Sequence, residues 1–234
     1  MNRRRVGVLL PSKSIYLEPF LYKAAPAQFS FHFTRLLLRE TTPEALGEMA
    51  LGIEEAARLI QEVDPDVIVF ACASGSFIKG RDADQEIKSR IEKITGVPVV
   101  VASMAMTKAL NHLKIKRVAL ATPYIDEVTN LETEFLEKNG FIVVSAKGLG
   151  LSGAPIRDQE PDTLSRLIQE VDRPEAEGIF VSCANVRVHD ILDDMERLVS
   201  KPVLSTNPTL LWNLLVTVNY RVPIRGFGRL LEDL

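Results

Sequence analysis

The strongest constraint on the fold of this chain is that it repeats itself. Asp66-Val-Ile-Val-Phe-Ala-Cys72-Ala-Ser, then a helical stretch, leads to Gly96-Val-Pro-Val-Val-Val-Ala-Ser103. Gly178-Ile-Phe-Val-Ser-Cys183-Ala-Asn, then a helical stretch, leads to Ser200-Lys-Pro-Val-Leu-Ser-Thr-Asn207. Each unit reads strand, Cys-Ala-polar, helix, Pro-Val, strand. Any two βαβ units look alike in outline, but chance does not readily place a cysteine at the same point of both. The repeat predicts an α/β protein of two pseudo-symmetric lobes, each a parallel sheet flanked by helices, with the functional site in the cleft between them. The expected division is residues 1–103 for the first lobe, with 208–234 packing back on it, and 104–207 for the second. A chain of 234 residues accommodates two lobes of roughly 100 residues each.

The local pattern agrees with this division. Short apolar runs at 6–10, 67–72, 97–102, 117–121, 141–145, 178–183 and 202–205 read as strands. Segments 42–62, 82–95, 104–113, 125–139, 161–171 and 188–199 read as helices. Continuous rather than alternating apolar runs indicate strands covered on both faces, and strand–helix alternation indicates parallel sheets. Thr42, Pro43 and Glu44 form a helix start, and Asn139-Gly140 a stop. Lys147-Gly-Leu-Gly-Leu-Ser-Gly153 has the wrong glycine spacing for a dinucleotide fingerprint and reads as a loop near the cleft mouth.

Charge and composition narrow the partners. A formal net charge of −3 gives no electrostatic reason to expect nucleic acid or a membrane surface. The cluster Arg3, Arg4, Arg5 runs into an apolar stretch too short for a signal-peptide core. No stretch approaches the about 20 apolar residues of a membrane span. Two cysteines make no disulfide framework, and without an export signal both are expected reduced in a cytoplasmic protein. His32, His112 and His189 show no metal-ligand spacing with them, and His189 reads as a solvated helical residue.

A cysteine beyond a strand end is placed for chemistry. In open α/β sheets ligands lie beyond the carboxyl ends of strands, where the next helix offers unpaired N–H groups and partial positive charge. That field favours thiolate over thiol, making the cysteine a better base and nucleophile. Ser74 and Ser76 after Cys72, and Asn185 after Cys183, add polar donors beside each sulfur. A lone cysteine is more often a small core hydrophobe. The matched pair favours a catalytic reading.

The two Cys motifs, Arg117-Val-Ala-Leu-Ala-Thr-Pro-Tyr124-Ile-Asp-Glu-Val, the opening Gly7-Val-Leu-Leu-Pro11-Ser12 and the ending Gly226-Phe-Gly-Arg-Leu together resemble the aspartate/glutamate racemase superfamily. Within it, the resemblance is to the branch of maleate cis–trans isomerases and arylmalonate decarboxylases, and it covers essentially the whole chain. It implies a cofactor-independent isomerase without metal, acting on a small carboxylate or dicarboxylate as a homodimer or larger homo-oligomer. It assigns catalysis to Cys72 and Cys183. Pro11, Ser12, Ser14, Ala73 and Ser74 would border a carboxylate pocket, Tyr124 would donate its phenol there, and Ala184 and Asn185 would serve the other side.

Cys72 stands where the decarboxylases carry glycine, which favours isomerase or racemase. Lys13-Ser14-Ile15-Tyr16 replaces the Ser-Asn-Thr-Thr of maleate isomerases, and Ser152-Gly153-Ala154 lacks an expected asparagine. Both changes remove amide donors for a dicarboxylate. Lys13 and Tyr16 are candidates to replace them, and Arg157 and Arg187 to neutralise a second carboxylate. Two chemistries fit: thiolate addition to an activated C=C followed by rotation and elimination, or proton exchange between two thiols across a carbon alpha to a carboxylate. The rivals are an amino-acid or hydantoin racemase, an arylmalonate-type decarboxylase and a non-catalytic small-anion binder.

Overall fold

The computed structural model describes residues 3–78, 80 and 82–234. Among the described residues, eight strands form two four-stranded, wholly parallel sheets. The first holds β1 (Arg4–Pro11), β2 (Phe29–Leu36), β3 (Val67–Phe70) and β4 (Val99–Val101) in the order β2-β1-β3-β4. The second holds β5 (Arg117–Tyr124), β6 (Ile142–Leu151), β7 (Gly178–Val181) and β8 (Val203–Ser205) in the order β6-β5-β7-β8. The two orders are the same permutation, as a duplicated unit requires.

The repeat extends to single hydrogen bonds. Asp66 and Glu177, each six residues before a cysteine, accept from the backbone N–H at the start of the neighbouring strand, Arg5 at 2.7 Å and Arg117 at 2.9 Å. Glu92 and Glu196, each seven residues before β4 or β8, accept from Val99 and Val203 at 3.4 and 3.0 Å.

β3, β4, β7 and β8 are buried along their whole length, which is why they read as unbroken apolar runs. One continuous core joins Val6, Val8 and Leu10 of β1 to Val118 and Leu120 of β5. A second cluster, with Leu9, Ile68 and Phe70, packs the far face of the first sheet against helix Ile53–Gln61 and helix Ala83–Thr95. Helix Ala102–His112 follows β4 and helix Thr206–Thr217 follows β8; these equivalent helices pack on each other.

Several local expectations change. The segment 42–62 is two helices, Pro43–Met49 and Ile53–Gln61, joined by a tight turn over Ala50–Gly52. Its start signal is real: Thr42 Oγ1 accepts from Ala45 N–H. The stop at 139–140 also holds, with Gly140 at φ +83° after helix Asp126–Lys138. β2 escapes sequence reading because it alternates Phe-Ser-Phe-His-Phe at a sheet edge, half-buried, unlike its neighbours. Helix Leu17–Ala24 was likewise not anticipated. Most of 147–153 is the end of β6 rather than a loop, and only Ser152 and Gly153 lie beyond it. Segment 188–199 begins as a 3-10 turn, Val188–Asp190, before helix Leu192–Val199. Among the described residues no helix is long and apolar enough to cross a membrane.

Candidate active site

β3 stops at Phe70 and β7 at Val181, so each cysteine stands two residues past its strand, at the carboxyl edge of its sheet. The two motifs then diverge. Cys72 is extended (φ −129°, ψ 102°) and caps the N-terminus of helix Ala73–Phe77, its Sγ accepting from Gly75 N–H at 3.4 Å. Ser74 Oγ lies 3.8 Å from the same sulfur. Gly75 makes this approach possible, because a Cβ there would lie 2.6 Å from Met49 Cε and 3.0 Å from the sulfur. No helix opens behind Cys183. It holds φ +88°, a left-handed conformation that disfavours residues with a Cβ. This strained backbone turns the chain so that Asn185 N–H reaches Cys183 Sγ at 3.3 Å. Tyr124, at the end of β5 and 2% exposed, lines the cavity beside the same sulfur, and the two groups bear on each other's ionisation.

Both sulfurs line one small cavity of about 50 Å³ between the sheets. Pro11, Ser14, Ala73, Ser74, Tyr124, Ala184 and Asn185 line it with them. Ser14 is buried with its hydroxyl unpartnered, free to bond a ligand. Ser12 does not line the cavity: its hydroxyl bonds Leu38 N–H at 3.1 Å and Leu38 C=O at 3.3 Å, holding the segment after β2. The side chain of Asn185 is committed elsewhere, accepting from Ile15 N–H at 2.9 Å and donating to Lys13 C=O at 3.1 Å. It ties residues 13–15 across the cleft, and only its backbone serves the sulfur.

Of the residues whose roles were open, Lys13 lines the cavity and its Nζ donates to Arg39 C=O at 2.5 Å. Tyr16, Arg157 and Arg187 stay outside. The Tyr16 hydroxyl donates to Arg157 C=O at 2.8 Å, and Arg187 stacks over the Tyr16 ring while pairing with Glu160 at 3.1 Å. His189 is not solvated: it is 6% exposed, packs on Phe20 at 4.9 Å, and burial lowers its pKa to about 4. The sequence reading missed Leu38, Arg39, Glu40 and Thr41, which form one wall. They follow β2, and without that edge strand nothing placed them near the cysteines.

A family model described as arylmalonate decarboxylase matches residues 11–231. The chain belongs to the arylmalonate decarboxylase family. It lies in the branch of the aspartate/glutamate racemase-like superfamily that its Cys and Thr-Pro-Tyr motifs resemble. The maleate isomerase of Nocardia farcinica is 27% identical, covering 100% of this chain and 97% of that one. The arylmalonate decarboxylase of Bordetella bronchiseptica is 27% identical, covering 84% and 83% respectively. A crystal structure of a maleate isomerase variant from Pseudomonas putida S16 with maleate superposes with a TM-score of 0.94 at 25% identity, covering 98% of this chain and 97% of that one.

In this member of the arylmalonate decarboxylase family the protonation of the pair differs from expectation. Burial pushes the Cys72 thiol up to about 11, against the opposing pull of Gly75 N–H and the Ser74 hydroxyl. Burial pushes Cys183 up to about 12, against Asn185 N–H and the Tyr124 hydroxyl. Desolvation of a thiolate outweighs one or two donors, so the free protein holds two thiols near neutral pH. Among the described residues no cluster of His, Cys, Asp and Glu is arranged to hold a metal ion.

Proposed function

We propose that this chain is a cofactor-independent isomerase of small carboxylates, maleate cis–trans isomerase-like, with Cys72 and Cys183 as its reacting groups. The observation that carries this reading is that the two sulfurs line one cavity from opposite sheets, each with its own N–H donor. The full-length relationship to a maleate isomerase supports it, as does Cys72 itself.

The active form is the monoanion. Cys72 thiolate forms a C–S bond to one alkene carbon, and the displaced electron pair moves onto the carboxylate. Cys183 gives its proton to the other carbon, leaving a saturated adduct free to rotate. Cys183 thiolate then takes back that proton, the C–S bond breaks, and the trans alkene leaves with both sulfurs as they began. Ser14, Ser74 and Tyr124 are placed to donate to the carboxylate where charge develops, backed by the backbone at Pro11, Ala73, Ala184 and Asn185. We read the lobes as residues 1–103 with 208–234, and 104–207. The enzyme is read as cytoplasmic and homo-oligomeric, the latter to be checked by size-exclusion chromatography with light scattering.

Proton NMR in D₂O with maleate, the enantiomers of aspartate and glutamate, a hydantoin and phenylmalonate tests the reading. Conversion of maleate to fumarate, lost in Cys72→Ala and Cys183→Ala, supports it. Deuterium entering an alpha position instead identifies a racemase, loss of carbon dioxide from phenylmalonate a decarboxylase, and binding without turnover an anion-binding protein.

A further inference from the structure

Glu132 has no place in the chemistry above. It lies on helix Asp126–Lys138, fully buried at 0% exposure, on the face that carries Val128, Thr129 and Leu136. That helix packs on β5, β6 and helix Ala73–Phe77, and the carboxyl acts on Tyr124 and Cys183. Neither Glu132 oxygen closes a hydrogen bond among the described residues. The hydroxyl that bears on it is that of Ser182, the residue before Cys183, and Ser182 Oγ likewise closes no hydrogen bond.

The titratable groups that feel its charge are Tyr124, from the end of β5, and Cys183, from the turn after β7. β6 brings Lys147, but its ammonium turns to Glu170 at 2.9 Å on the surface. Helix Ala73–Phe77 carries no charged side chain. A carboxylate in such surroundings has no cation to compensate it, and a neutral acid is the favoured form.

We propose that Glu132 is a positioning residue: a protonated carboxylic acid behind the Tyr124–Cys183 pair that keeps this side of the cavity free of negative charge. The proposal rests on the isomerase reading for its consequence in turnover, but not for its effect on the thiol. While Glu132 is neutral, negative charge can develop on Cys183 and the bound carboxylate. Once Glu132 ionises, a second anion faces the same sulfur and both steps are opposed. Burial raises its pKa to about 8, so the change falls just above neutrality.

Three measurements test this on the intact protein. The infrared carbonyl stretch of a buried protonated carboxyl should be present in the wild type at neutral pH. It should disappear with a midpoint near pH 8, and a midpoint below about 6 overturns the proposal. Alkylation of Cys183 by iodoacetamide, followed by peptide mass spectrometry, should run at the same rate at about pH 6.5 in the wild type and in Glu132→Gln. At about pH 9 the variant should be roughly five- to tenfold faster. With maleate, the ratio of kcat/KM in Glu132→Gln to that of the wild type should stay near one at about pH 6.5 and rise by a similar factor at about pH 9. Ratios flat with pH overturn the proposal, because a merely structural carboxyl shifts both pH values alike. If maleate is not turned over, the isomerase reading fails while the alkylation ratio still decides the role of Glu132. If Glu132→Gln does not fold, the wild-type infrared titration decides it alone.

Discussion

The two halves share a sheet order and a cysteine two residues past an inner strand, yet they hold that cysteine differently. In the first half β1 ends on Pro11, the helix after Cys72 is only five residues long, and the sulfur sits on an unstrained N-cap with Gly75 N–H and Ser74 around it. In the second half β5 ends on Tyr124, no helix starts directly behind Cys183, and a left-handed backbone presents the sulfur to Asn185 N–H, with Tyr124 lining the cavity beside it. Ala71 precedes Cys72, whereas Ser182 with buried Glu132 behind it precedes Cys183. A duplicated scaffold thus supplies two thiols at mirrored positions, and the different neighbours make them inequivalent. Burial raises both thiols, Cys72 to about 11 and Cys183 to about 12, against different donors on each side.

That inequivalence can be broken by substitution. Cys72→Ala and Cys183→Ala should each lower kcat for the isomerase reaction by about 10⁴-fold or more, since neither half works alone. Equal partial losses would mean the thiols only bind. Next in size is the dependence of stability on pH. Because burial raises Glu132 from 4.5 to about 8, the folded state holds a proton that the unfolded state releases between those values. Unfolding free energy therefore falls as pH rises through that window, by of order 3–5 kcal/mol. Urea denaturation at about pH 5 and pH 9 should show that fall in the wild type and a smaller one in Glu132→Gln.

Tyr124→Phe removes the hydroxyl that bears on Cys183 in the second half, and should cost about 10–100-fold in kcat/KM, with Cys183 alkylated more slowly. Gly75→Ala is the matching test of the first half. Its added Cβ meets Met49 and the Cys72 sulfur, so it should destabilise by about 1–3 kcal/mol and slow Cys72 alkylation alone. The smallest effect concerns backbone strain at Cys183. Cys183→Gly should be more stable than Cys183→Ala by about 1 kcal/mol in thermal or chemical denaturation, because only glycine occupies φ +88° without cost. The same pair of substitutions at Cys72, where φ is −129°, should reverse that order.

Most of the scaffold was legible in the chain. The inner strands are covered on both faces, so they read as unbroken apolar runs, and the Cys-Ala-polar echo marked the ends of two of them. β2 was not legible, because an edge strand exposed on one side carries an alternating pattern that competing readings share. Its loss removed one wall of the cavity, Leu38 to Thr41. Ser12 and Asn185 illustrate a different limit. Their polarity marked them as donors, but their hydrogen bonds go to Leu38 and to residues 13–15. Chain position tells what a side chain is able to bond, and packing decides what it does bond.

The sequence by itself determined the duplicated α/β architecture and the strand ends that carry the cysteines, since periodicity and motif spacing are local properties. The tertiary structure alone decided the protonation of the pair, the strained turn at Cys183 and the carboxyl behind it. Those depend on desolvation, which is a property of everything that surrounds a group once the two sheets meet.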